Sequence, residues 1–93
     1  MQEIAHNQCE WAVNNAGEVL LALPSFHKSS LDVGTLEGNH LIVRYDWFLR
    51  VRIAIPDPVI PYVRRNSSIL VVAYDRDGNI TENDLQVKNP AAP

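Results

Sequence analysis

The 93-residue chain is 46% hydrophobic and 20% charged, which excludes a disordered low-complexity segment and fits an ordinary globular domain. Its apolar runs, such as residues 19–23, fall far short of the roughly 20 residues a spanning helix requires, so no membrane partner is expected. The net charge of −3 is unevenly placed: residues 1–40 carry −4, residues 41–65 carry +3 and the remainder carries −2.

One domain over residues 1–89 is expected, followed by a loose tail at Pro90-Ala91-Ala92-Pro93. The first residues lack the positive start and apolar centre of a secretory signal, so a cytoplasmic location is expected. Cys9 is the single cysteine; it reads as a small buried apolar residue that can close neither an intrachain disulfide nor a cysteine-based metal site.

Residues 2–16 carry two patterns. Ile4, Ala5, Gln8, Cys9, Ala12, Val13 and Ala16 share a helical face, whereas Cys9, Trp11 and Val13 alternate with Gln8, Glu10 and Ala12 as in a strand. Asn14-Asn15-Ala16-Gly17 then reads as a loop into residues 18–23, and the β-forming content leans towards a hairpin. Residues 31–36 form a further strand, and Gly38-Asn39 supplies the two residues of a tight hairpin loop.

Between residues 41 and 55 every odd position is apolar and Arg44, Asp46, Arg50 and Arg52 occupy even ones, a period-two strand. Fifteen extended residues would span about 50 Å, so this segment must bend, coil or bulge. Pro56 and Pro58 end it, and a short helical turn can begin near Pro61. Residues 69–74 are a continuous apolar run that reads as a central strand buried on both faces. A turn over residues 75–79 leads to an edge strand made of residues 80–81 and 85–87.

The predicted fold class is mainly β, or α+β should the N-terminal segment be helical: a small antiparallel barrel or sandwich of six to seven short strands with one long bent strand.

Chemistry-bearing patterns are sparse. Residues 75–84 resemble a calcium loop in their recurring carboxylates, but counting from Asp75 places Gly78, Ile80 and Gln86 where an EF-hand needs other residues. His6, His27 and His40 lack the spacing of a metal pair, and the serines stand in turn contexts. No metal, cofactor or catalytic residue is assigned.

The arginine strand is the one candidate site. With odd residues facing inward, Arg44, Arg50 and Arg52 share an outer face with Phe48, where guanidinium groups beside an aromatic suit a carboxylate, a phosphate or a partner surface. The acidic remainder of the chain disfavours nucleic acid. The expected function is a non-catalytic protein-binding or assembly module, acting as a homodimer or with a protein partner. The alternative is a small-molecule-binding protein or enzyme with an anion-recognising, arginine-lined pocket.

Overall fold

The computed structural model describes residues 2–23, 33–44, 50–74 and 77–90. Within them the chain is mainly β. In order it forms β1 (Gln2–Ile4), a 3-10 turn (His6–Gln8), β2 (Glu10–Val13), β3 (Val19–Leu23), β4 (Val33–Glu37), β5 (His40–Arg44), β6 (Arg50–Ala54), a short helix α1 (Ile60–Arg65), β7 (Ser68–Tyr74) and β8 (Ile80–Lys88). The strands make one mixed sheet in the order β1-β6-β5-β4-β8-β7-β3-β2, curled into a half-barrel.

The N-terminal segment is β-structure on both sides of a single 3-10 turn, as the alternation of Cys9, Trp11 and Val13 suggested. Asn14 builds the β2–β3 turn: its Oδ1 accepts the backbone N–H groups of Ala16 and Glu18, each at 2.9 Å, and Gly17 takes φ +80°. At the β4–β5 hairpin only Gly38 enters the left-handed region, at φ +59°, the pattern of a two-residue loop with glycine first.

The period-two segment does not run on as one bent strand. Its bend is a complete reversal, β5 and β6 pairing antiparallel from His40↔Ala54 to Arg44↔Arg50, with residues 45–49 outside the described residues. A reversal keeps the phase, so Leu41, Val43, Val51, Ile53 and Ile55 still face the core. Ile60 opens α1 with Pro61 in its first turn, where a missing N–H costs nothing, and Val63 inserts into the core.

Two further expectations are corrected. The strand from residue 80 is not an edge strand: β8 lies between β4 and β7, pairing antiparallel with β7 and, through residues 86–88, parallel with β4. Residues 69–74 are not buried on both faces. Ile69, Val71 and Ala73 are core, whereas Leu70 and Val72 face outward and are half-buried, because among the described residues no second layer covers that side.

Chain connectivity requires the curl. β1 and β2 are the two edges of an eight-stranded sheet that would be about 34 Å wide if flat. The chain between Ile4 and Glu10 reaches at most about 20 Å, so the edges must approach one another. Trp11 spans the seam: its indole N–H donates to the Ala54 carbonyl at 3.1 Å, joining β2 to the end of β6. Cys9, two residues before Trp11, is buried, its thiol 3.7 Å from the Ala5 carbonyl. Burial pushes the thiol pKa up, only partly offset by its hydrogen bond with Trp11, so Cys9 stays a protonated packing residue.

The inner face leaves no spare room at Gly34, which stands between Val43 and Val87 in register. A Cβ there would lie 2.9 Å from Leu41 Cδ1 and 3.1 Å from Leu85 Cδ2. Glycine is needed for this close approach, not for an unusual backbone conformation.

Candidate functional site

The β5–β6 hairpin sets Arg44, Arg50 and Arg52 at neighbouring register positions of two paired strands. Arg44 and Arg50 are register partners at its end, and Arg52 pairs with Ile42 two residues along. Phe48 lies outside the described residues. Arg50 is exposed, whereas Arg52 is half-buried and places Nη2 3.3 Å from His40 Nδ1. A guanidinium can only donate, so in this contact Nδ1 is the acceptor. The Arg52 Nε is shut off from solvent and has no hydrogen-bond partner among the described residues. Glu3 stands beside Arg52 in the β1–β6 register and supplies a nearby negative charge. Arg65 is committed elsewhere: its guanidinium lies 4.7 Å from the Tyr62 ring centroid and its Nε donates to the Pro61 carbonyl at 3.2 Å.

A second outer surface was not visible in the sequence. Along β3 the residues alternating with buried Val19, Leu21 and Leu23 are Leu20 and Ala22; along β7 those alternating with buried Ile69, Val71 and Ala73 are Leu70 and Val72. β3 and β7 pair in parallel so that Leu20 stands beside Leu70 and Ala22 beside Val72. The result is a contiguous outward apolar block two strands wide.

The neighbouring strands extend this block and bound it with charge. On the β2 side, Ala12 adjoins Leu20 and Glu10 adjoins Ala22. On the β8 side, Asp84 adjoins Leu70 and Glu82 adjoins Val72. Glu10, Glu82 and Asp84 are all exposed. Ile80, at 57% the one large hydrophobic of the described residues to be so exposed, extends the apolar surface along β8. An apolar strip on β3 and β7 is therefore flanked by Glu10 on β2 and by Glu82 and Asp84 on β8, while Arg44, Arg50 and Arg52 belong to β5 and β6.

Among the described residues no three His, Cys, Asp or Glu side chains lie close enough to hold a metal ion. Among the same residues no helix is long and apolar enough to cross a membrane. The chain matches no protein-family model, no curated protein and no solved structure.

Proposed function

We propose that this chain is a non-catalytic protein-binding module that presents the outer face of β3 and β7 to another polypeptide, a second copy or a different chain. The observation that carries this reading is the in-register block of Leu20, Ala22, Leu70 and Val72 on the sheet side opposite the core. A face that only met solvent would alternate to polar residues, as an antiparallel sheet with one wet side does. Here the four adjoining outward positions Leu20, Ala22, Leu70 and Val72 are apolar and only half-buried, and a contiguous apolar surface facing outward is characteristic of a contact site. The test is a photoreactive residue placed at Val72 or, as control, at Arg50, followed by irradiation of purified protein and of cells that make it. The module reading expects polypeptide adducts from Val72 and none from Arg50. Equal labelling at both positions, or none at Val72, overturns it.

A second reading, an anion-binding site on the β5–β6 face, is favoured by one observation: Arg52 has a buried, unpartnered Nε beside His40, with Arg50 two residues away on the same face. The two readings diverge for the double change Arg50→Gln and Arg52→Gln. The module reading expects stability within about 0.5 kcal/mol per site and no change in association. The anion reading expects the wild type to bind inorganic phosphate, with the affinity lost in the double variant while the fold is kept. Isothermal titration with phosphate and a thermal melt of both proteins separate them.

A further inference from the structure

We infer that the partner of the β3–β7 face is an amphipathic helix of another chain, with an apolar stripe bordered on both sides by Lys or Arg. This rests on the module reading above and adds the chemistry of the partner. The block is two strands wide, and the carboxylates of Glu10 on β2 and Glu82 and Asp84 on β8 stand on either side of it. From β2 to β8 is three strand spacings, about 14–15 Å. An α-helix with its side chains is about 10–12 Å across, so a helix seated on Leu20, Leu70 and Val72 would bring its flanking positions above Glu10 on one side and above Glu82 and Asp84 on the other. Lys and Arg stems are long enough to lie along apolar surface and still place their charge at the rim.

The same rim argues against a second copy seated face to face. Symmetric docking would bring two sets of Glu10, Glu82 and Asp84 around one apolar contact, and like charges opposed across an interface are disfavoured. A basic partner converts that repulsion into attraction and gains an association rate that falls with salt.

The experiment uses the full chain and two fluorescein-labelled synthetic helical peptides with the same leucine and alanine stripe, one with lysines on both flanks and one with glutamates there. Anisotropy at physiological salt is expected to show the lysine peptide binding at micromolar concentration and about tenfold or more tightly than the glutamate peptide. The triple variant Glu10→Lys, Glu82→Lys, Asp84→Lys alters only exposed positions and is expected to keep its melting temperature and reverse that preference. Equal affinity of the two peptides, or a preference that survives the charge reversal, overturns the basic-helix inference. Val72 cross-links that join only two copies of this chain overturn it too, while leaving the module reading standing. Absence of any Val72 adduct removes the module reading and this inference with it.

Discussion

Replacing Val71 by Asp is expected to abolish folding, whereas the same change one residue earlier, at Leu70, leaves a folded domain. The two positions have similar side chains on the same strand, and only their direction differs. Val71 is 2% exposed within the cluster that contains Leu21, Leu41, Ile53 and Leu85; a carboxylate there would have no partner. Removing an unpaired charge from water costs several kcal/mol even after relaxation, a large part of the roughly 5–15 kcal/mol that holds a small domain together. Leu70 faces outward, and a carboxylate there keeps access to water. Its cost is about 1–2 kcal/mol, from lost apolar contact with Leu20 and from the like charge of Asp84 in register. Circular dichroism melts of the two variants check this. Loss of folding in both would mean that the β3–β7 outer face is covered within the chain, and would remove the docking surface.

The second large effect is expected at the seam. Trp11→Phe retains most of the ring's packing against the core but deletes the donor to the Ala54 carbonyl, a loss of about 1 kcal/mol. Trp11→Ala also removes the packing and is expected to cost about 2–3 kcal/mol, below the full value for a completely buried aromatic because Trp11 is half-buried. Urea denaturation measures both. Amide exchange supplies the local readout: in the alanine variant β1 and β2 should exchange faster than β7, because the two edges lose the link between them while the centre of the sheet keeps its neighbours. Uniform acceleration across all strands would show that Trp11 supports the whole core and not the seam.

How far the site was legible follows from the same geometry. The neighbouring placement of Arg50 and Arg52 on the side opposite the core was readable because period-two phase survives a hairpin reversal. His40 comes to Arg52 only through the β5–β6 pairing. The acid-flanked apolar strip draws Glu10, Leu20, Leu70 and Asp84 from four strands whose neighbours are set by long-range pairing. No local spacing connects them.

Alternation within residues 41–55, glycine at position 38, and Pro61 were enough to specify which side of the strands is apolar, a tight turn and a short helix start, since these depend on neighbours within a few residues, but not the reversal between β5 and β6. The run at residues 69–74 had no such internal phase: six apolar residues in a row are compatible with burial on either face or both. Only its parallel pairing with β3 and antiparallel pairing with β8 assign Val71 to the core and Leu70 to the outside. The parallel contacts β1–β6, β3–β7 and β4–β8, and the curl that brings Trp11 to Ala54, are likewise tertiary decisions. They bring together segments distant in the chain so that the odd-numbered residues of β3, β5, β6, β7 and β8 can leave water together, and a local pattern records which side of a strand is apolar but not which strand lies beside it.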